Sequence, residues 1–282
     1  MKRRFIQCDV FTATPTRGNA LAVVADAGDL SEQQMQAFAA WTNLAETTFL
    51  LPPTDPAADY RVRIFTPSRE MPFAGHPTLG SCAAWLHLRG VPNRPGIVVQ
   101  ECAVGLIEID LTGEVPAFAA PPTTIEILSE AQRARIAGAL GLAEDQIMRS
   151  ALLNNGPVWQ VLELRGAADV LAVDSSRVSW PQFEPIGLIG RHSPDQPTDF
   201  EVRMLAPSSG MPEDPITGSL NAAIAHWFAS QGEISKPMLV SQGQCINRQG
   251  RIYWRPEPGD SDLPRMMIGG QTHILIEGQV EL

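Results

Sequence analysis

The hydrophobic pattern of this chain is strand-rich and occurs twice. Residues 59–72 read DYRVRIFTPSREMP and residues 199–212 read DFEVRMLAPSSGMP, so a shift of 140 positions gives seven identities in fourteen. An Asn/Gly turn and an apolar run precede each copy, ALAVV in the first half and PVWQVLEL in the second. These identities indicate an ancient duplication, and the period is too long for the repeats of a solenoid.

The same succession of elements also follows each copy. A helical, largely apolar segment begins near His76 in the first half and near Thr217 in the second. Apolar or alternating β-type runs come next, IVVQ and LIEIDL in one half and MLVSQ and RIYW in the other. Each half is therefore predicted to be a sheet around one apolar helix, with a binding crevice between two lobes. Duplication for stability alone, with the site elsewhere, is the alternative.

The proline-containing stretch 117–122 is the predicted linker between the lobes. The first lobe is expected to span residues 1–118 and the second lobe residues 119–282. The last predicted strand, 273–281, either stays with the second lobe or returns to the first.

Composition narrows the classes of protein that fit this pattern. The chain has 282 residues, 44% of them hydrophobic, with a formal net charge of −10 and a sequence pI near 5.0. That length supplies a sizeable core, and the acidic balance gives no basic footprint for nucleic acid or an anionic membrane. No apolar stretch approaches the roughly 18 residues of a membrane helix. We therefore expect a cytoplasmic protein without a nucleic-acid or membrane partner.

The four cysteines are scattered, with no CxxC and no pairing with nearby histidines. A metal site or a disulfide framework is therefore not expected, and buried reduced thiols are the preferred interpretation. The sequence also lacks HExxH, a glycine-rich phosphate loop, a GxSxG elbow and a Cys-His nucleophile arrangement. Nothing in the sequence requires a cofactor.

The candidate chemistry lies in the two loops before the apolar helices. The first loop reads MPFAGHPT and the second MPEDPITGS; under the shift of 140, Ala74 is opposite Asp214 and His76 is opposite Ile216. Both loops place Gly, Ser or Thr at a helix start, where unpaired backbone N–H groups attract an anion such as a substrate carboxylate. A helix start made by Pro77 and Thr78 alone explains the first loop equally well.

Two acids and one histidine are the candidate catalytic groups. His76 exchanges protons near neutral pH, although a hydrogen-bonded structural role is the alternative. Glu46 follows a helix predicted over 31–41 and directly precedes the apolar strand TTFLL, where desolvation would raise its pKa into the range for proton transfer. An exposed glutamate at a strand end is the alternative. The counterpart of Glu46 is Ile186, so each half would supply one acid, Glu46 from the first and Asp214 from the second.

Five motifs carry a resemblance to a known family. The set DVFT…GN (9–19), NLAETTF (43–49), RIFTP (63–67), PFAGHPTLG (72–80) and EDPITGS (213–219) resembles the phenazine-biosynthesis, PhzF-like family. The resemblance runs over essentially the whole chain. It implies the α+β fold of diaminopimelate epimerase, in which two similar lobes each wrap a curved β-sheet around a central helix. It also implies a homodimer.

The activity implied by the resemblance is isomerisation of trans-2,3-dihydro-3-hydroxyanthranilate, in which a proton moves along a conjugated ring without a cofactor. The glutamate of the ETTF motif, here Glu46, would shuttle the proton. The supporting polar residues of the family fall on His76, Asp214 and Ser219, and the backbone N–H groups for the substrate carboxylate fall on Gly75 and Gly218.

Relatives with this fold that racemise or epimerise amino acids use one cysteine from each lobe. The matching positions under the shift are Ala74 and Asp214, so a two-thiol epimerase is disfavoured. The chain departs from the family pattern at two places. Ala45 stands where the family often has a serine, and the segment 242–251 lacks an expected glycine and proline. Both departures bear on the identity of the substrate more than on the reaction class. The leading hypothesis is a cofactor-independent isomerase of a small unsaturated carboxylate. A small-molecule-binding or regulatory protein of the same fold is the alternative.

Overall fold

The computed structural model of the protein divides into two compact units. It describes residues 1–177, 180, 184–206, 213–259 and 264–282. The first unit contains Met1–Ala119 and Gly269–Leu282, and the second contains Ala120–Ile268. Residues 269–282 therefore return to the first unit, the option that the sequence left open, and are not part of the second.

The elements of the described residues run in the following order. They are β1 (Lys2–Val10), β2 (Asn19–Val24), α1 (Glu32–Thr42), β3 (Glu46–Leu51), β4 (Tyr60–Phe65), β5 (Glu70–Met71), α2 (Gly75–His87), β6 (Ile97–Cys102), β7 (Gly105–Asp110), β8 (Ala117–Ala119), β9 (Thr124–Glu126), α3 (Glu130–Leu140), β10 (Ile147–Asn154), β11 (Val158–Leu164), α4 (Ala167–Ala172), β12 (Ile186–Arg191), β13 (Phe200–Leu205), β14 (Glu213–Asp214), α5 (Gly218–Ser230), β15 (Met238–Gln242), β16 (Gly250–Glu257), β17 (Arg265–Gly269) and β18 (Thr272–Glu281).

In the first unit a mixed sheet surrounds the helix α2. The strands pair in the order β18-β1-β2-β3-β4-β6-β7-β8, with β2/β3 and β4/β6 parallel and the other neighbours antiparallel. The helix α2 packs against six of these strands, and every residue from Gly75 to Cys82 is buried. A helix that is apolar on all sides belongs in a core, which explains why the segment from His76 has no polar stripe.

In the second unit the same arrangement surrounds α5. The strands pair in the order β9-β10-β11-β12-β13-β15-β16, with β11/β12 and β13/β15 parallel and the other neighbours antiparallel. Ten of the thirteen residues of α5 are buried. Phe228 on this helix meets Phe200 edge to face at 5.3 Å, and Trp254 stacks on Phe200 at 5.6 Å.

Strand register agrees with the duplication and the shift of 140. Tyr60 is opposite Gln100 in the β4/β6 pair, and Phe200 is opposite Val240 in the β13/β15 pair. The aspartates just before β4 and β13 also make matching bonds. Asp59 accepts the backbone N–H of Val99 at 2.7 Å, and Asp199 accepts that of Leu239 at 2.7 Å.

The shift increases by three residues after β13. Glu70 on β5 is paired with Arg63, and Glu213 on β14 is paired with Arg203, so these equivalent carboxylates lie 143 positions apart. The extra residues fall in the loop that precedes β14, of which residues 207–212 lie outside the described residues.

The longer loop corrects the alignment of the two candidate loops. Met71 pairs with Ile64 as Asp214 pairs with Met204, so the counterpart of Asp214 is Met71. The predicted pairing of Ala74 with Asp214 is therefore wrong. By the same shift the pairing of His76 with Ile216 is wrong, because α2 and α5 begin at Gly75 and Gly218.

The first helix, the predicted linker and the cysteines can be compared with the sequence-based predictions. The helix predicted over 31–41 is confirmed as α1, Glu32–Thr42, with Ser31 as its N-cap in a capping box. Of the predicted linker 117–122, residues 117–119 form strand β8, and the boundary between the two units lies directly after Ala119. Cys8 and Cys82 are buried, but Cys102 is partly exposed and Cys245 is exposed, so the expectation of buried thiols is wrong for the last two.

Within the described ranges, none of the helices combines the length and the apolar character needed to span a membrane.

The Arg203–Glu213 pair should matter more for stability than its counterpart in the first unit. Both side chains are almost wholly buried, whereas those of Arg63 and Glu70 are 26% and 31% exposed. Glu213→Gln leaves a buried guanidinium without its counter-charge, and we expect the free energy of unfolding to fall by about 3–5 kcal/mol. Glu70→Gln should cost only about 0–1 kcal/mol, because water screens that pair. Urea unfolding of both variants measures the difference, and equal losses would contradict it.

Candidate active site

Glu46 stands at the first position of β3. The helix α1 ends at Thr42, and its C-cap residue Asn43 adopts a left-handed φ of 54°, which lets the chain turn into the strand within three residues. Glu46 lies opposite Leu21 of β2, and its side chain is 18% exposed. The sheet therefore holds a carboxylate at the edge of a buried apolar strand. Ile186 occupies the same first position in β12, as the shift of 140 predicts.

His76 is the second residue of α2 and contacts Glu46. Its ring Nε2 lies 3.2 Å from Glu46 Oε2, and the residue is only 6% exposed. Burial lowers the pKa of His76 to about 3. The imidazole is therefore neutral at neutral pH, so this contact joins a carboxyl group to an uncharged ring.

Asn19 determines which ring nitrogen of His76 carries the proton. Asn19 Nδ2 lies 3.5 Å from His76 Nδ1, and both residues are buried. An amide NH₂ donates and does not accept, so Nδ1 is the accepting nitrogen and Nε2 carries the hydrogen. In the described part of the chain Nε2 makes no aligned hydrogen bond. Its N–H, beside Glu46, is therefore available to a substrate atom.

A tight loop fixes Asn19 in this place. The backbone N–H of Gly18 donates to Asp9 Oδ2 at 2.9 Å. A Cβ at Gly18 would lie 2.3 Å from the carbonyl oxygen of Val10, so only glycine fits. The sequence showed these residues only as part of the DVFT…GN motif, and the position of Asn19 directly after an obligatory glycine was the signal that could have identified it.

The N-terminus of α2 lacks a side-chain cap. Its N-cap residue is Ala74, which cannot accept a hydrogen bond through its side chain. Thr78 does not cap the helix either: its hydroxyl donates to the carbonyl of Ala74 at 2.9 Å and accepts from Gln100 Nε2 at 3.1 Å. Capping therefore does not explain the first loop, and Gly75 opens a helix whose first N–H groups can face an anion.

Asp214 and the start of α5 hold the candidate residues of the second unit. Burial raises the pKa of Asp214 to about 6; the hydrogen bond from Thr217 Oγ1 opposes this rise and the charge of Glu213 adds to it. Thr217 is also the N-cap of α5, but its side chain makes no cap bond, and its hydroxyl donates to Asp214 Oδ2. Gly218 therefore opens a helix without a side-chain cap, as Gly75 does.

Ser219 and His76 occupy the same position on their helices. Each is the second helical residue, directly after the opening glycine. The carbonyl of Ser219 accepts a hydrogen bond from Asn155 Nδ2 at 2.8 Å, which ties this helix start to the Asn/Gly turn before β11.

The predicted residues thus fall into two sets. Glu46, His76 and Gly75 lie together in the first unit, and Asp214, Gly218 and Ser219 lie together in the second. Among the residues that the structure describes, no group of three or more His, Cys, Asp or Glu side chains is placed to hold a metal ion.

Comparison with known proteins identifies the family. The model of the family described as phenazine biosynthesis-like protein matches residues 8–278. The chain belongs to the phenazine biosynthesis-like family. It is 35% identical to Antisense-enhancing sequence 1 of Schizosaccharomyces pombe, over 98% of this chain and 97% of that protein. It is 31% identical to trans-2,3-dihydro-3-hydroxyanthranilate isomerase of Pseudomonas aeruginosa, over 99% of both.

Solved structures agree with this family assignment. The crystal structure of a PhzF-family phenazine biosynthesis protein from Bacillus anthracis matches with a TM-score of 0.84 and 22% identity over 100% of both chains. The structure of a predicted epimerase from Pseudomonas aeruginosa also matches, with a TM-score of 0.79 and 26% identity over 99% of both chains. The predicted α+β, diaminopimelate epimerase-like fold is confirmed. Several relatives in this family are named isomerases. The chain is therefore an isomerase.

The corrected alignment leaves the argument against a two-thiol epimerase intact. The residues directly before the two opening glycines of this phenazine biosynthesis-like protein are Ala74 and Thr217. Neither carries a thiol, and Cys8 and Cys82 are buried with pKa values raised to about 12 by desolvation. Such thiols stay protonated at neutral pH and are poor acid/base groups.

The neutral tautomer of His76 can be tested by nuclear magnetic resonance. Because burial lowers its pKa to about 3, His76 should stay uncharged from neutral pH down to about pH 5, where an ordinary histidine is protonated. Long-range ¹H–¹⁵N spectra, assigned with His76→Gln, should show the hydrogen on Nε2. Asn19→Ala should populate the Nδ1–H tautomer. Titration near pH 6.5, or an Nδ1–H ring in the wild type, would contradict the assignment.

Proposed function

We propose that this protein is a cofactor-independent isomerase that moves a proton within a small unsaturated carboxylate similar to trans-2,3-dihydro-3-hydroxyanthranilate. The observation that carries the proposal is the 3.2 Å contact between Glu46 and a buried, neutral His76. The 31% identity to an isomerase of that compound over 99% of both chains supports the substrate class.

Glu46 is the proposed general acid/base. Its carboxylate takes a proton from one carbon of the substrate, and the electron pair left behind moves into the conjugated system. The resulting carboxylic acid then returns the proton to another carbon of the same system. The bonds broken and formed balance, so no oxidant or reductant takes part. General acid/base catalysis of this kind contributes about 10²–10⁴ in rate.

His76 and Asp214 are assigned complementary roles in the same reaction. The N–H of His76 Nε2 is proposed to donate to a substrate oxygen and so to polarise it. Asp214 has a pKa of about 6 and is mostly ionised at neutral pH, so its carboxylate accepts from an amino or hydroxyl group of the substrate. Gly75, Gly218 and Ser219, at helix starts without side-chain caps, are proposed to bind the substrate carboxylate through backbone N–H groups.

The base is tested by a proton NMR time course with dihydro-hydroxyanthranilate in D₂O. Wild type should isomerise the compound, and Glu46→Gln should lose about 10²–10⁴ in rate because its amide cannot accept the proton. Deuterium in the product would show that the carried proton exchanges with solvent. Glu70→Gln, which alters a carboxylate outside the candidate site, is the matched control and should keep full activity.

Two results would count against this assignment. Retained turnover in folded Glu46→Gln would exclude Glu46 as the base. Tight binding of unsaturated amino and hydroxy acids without proton exchange at any carbon would favour the alternative, a small-molecule-binding or regulatory protein of the same fold.

We further propose that the protein is a homodimer. In the first unit Phe38, Trp41, Val280 and Leu282 line an open groove of about 490 Å³, and Trp41 is 79% exposed. An exposed aromatic side chain beside other apolar groups is typical of an association surface. Light scattering should give about twice the chain mass of 30.6 kDa, and Trp41→Glu should return it to one chain mass. A monomeric wild type would contradict the proposal.

A further inference from the structure

The buried side chain of Gln242 is bonded at both ends of its amide. Its Oε1 accepts from the backbone N–H of Thr217 at 3.1 Å and from Asn221 Nδ2 at 2.9 Å. Its Nε2 donates to Thr217 Oγ1 at 3.0 Å and to the carbonyl of Asp214 at 3.3 Å. One residue at the end of β15 therefore holds the loop that carries Asp214 and the first residues of α5.

The orientation of this amide follows from groups that can only donate. Trp254 Nε1 donates to Asn221 Oδ1 at 3.2 Å, so the other end of the Asn221 side chain is the NH₂ group. That NH₂ donates to Gln242, as does the backbone N–H of Thr217. The atom of Gln242 that they reach is therefore the oxygen, and the NH₂ of Gln242 faces Thr217 Oγ1.

The same reasoning fixes the hydroxyl proton of Thr217. Its oxygen already accepts from Gln242 Nε2, so its own hydrogen must point to a different acceptor. Asp214 Oδ2 is that acceptor. The hydroxyl thus serves the carboxylate and does not cap the helix that it precedes.

We propose that Gln242 is a positioning residue of the reaction, which directs the hydroxyl of Thr217 to Asp214 Oδ2 and so holds the Asp214 carboxylate in one orientation. The inference rests on the proposed function, in which Asp214 accepts from the substrate. It also gives a role to the first residue of the segment 242–251.

The charges around Asp214 show what this hydrogen bond does. Burial raises the Asp214 pKa, the bond from Thr217 lowers it, and the neighbouring Glu213 raises it. Glu213 is itself paired with Arg203. Loss of the Thr217 donor should therefore raise the pKa above about 6 and leave more of Asp214 protonated, and unable to accept, at neutral pH.

The test is a ¹³C NMR titration of the Asp214 carboxyl group in protein labelled at its aspartates, with Asp214→Asn for assignment. In Thr217→Val the Asp214 pKa should rise by about one to two pH units, the effect of losing one hydrogen bond to a charged group. Thr217→Ser keeps the hydroxyl and should restore the wild-type value. Where a substrate turns over, the acidic limb of kcat/KM should move with this pKa.

Gln242→Met and Ser241→Ala form a matched pair on β15. Gln242→Met removes the amide that orients Thr217 and should also raise the Asp214 pKa. Ser241 is equally buried, but its hydroxyl donates to Glu201, so Ser241→Ala should leave the pKa unchanged.

An unchanged pKa in folded Thr217→Val or in folded Gln242→Met, or an equal rise in Ser241→Ala, would overturn the inference. Because the titration needs no substrate, it tests this hydrogen-bond relay even if the wild type proves to have no isomerase activity.

Discussion

Burial of one apolar helix inside each sheet is the constraint on which the candidate site depends. The starts of α2 and α5 are buried, so the polar groups there lose water and must be satisfied by protein or by a ligand. Desolvation explains why the pKa of His76 falls to about 3 while that of Asp214 rises to about 6. The buried helix that stabilises each core therefore also sets the protonation state of the ionisable side chain beside its start.

The two units share their strand order and pairing but differ in the side chains at the candidate site positions. Strand order, parallel pairings and the aspartates before β4 and β13 recur in both units. The side chains at equivalent positions differ: Glu46 is matched by Ile186, and His76 by Ser219. The first copy thus carries a carboxyl–imidazole pair where the second carries an apolar residue and a hydroxyl. Duplication preserved the backbone that positions a site and left its side chains free to diverge.

Much of the fold follows from local signals, and the remainder depends on distant contacts. Strand and helix segments and the repeat are visible because periodicity and turn residues act within a few positions. The alignment of the second loop was wrong because three extra residues lie between β13 and β14, and the apolar pattern does not reveal an insertion between two strands. Asn19 and Gln242 were missed because their partners, His76 and Thr217, lie 57 and 25 positions away. An amide side chain has no intrinsic acid/base signature, so only the folded network gives it a role.

A neutral imidazole beside Glu46 is well suited to a proton shuttle. A charged imidazolium at 3.2 Å would stabilise the carboxylate and oppose its protonation, which is half of the proposed cycle. A neutral ring with its hydrogen on Nε2 supplies a donor without that charge. Asn19 fixes the ring for Glu46, and Gln242, acting through Thr217, fixes the carboxylate of Asp214. In each unit a buried amide is bonded to the candidate group, so the donors and acceptors within that unit are fixed before a substrate binds.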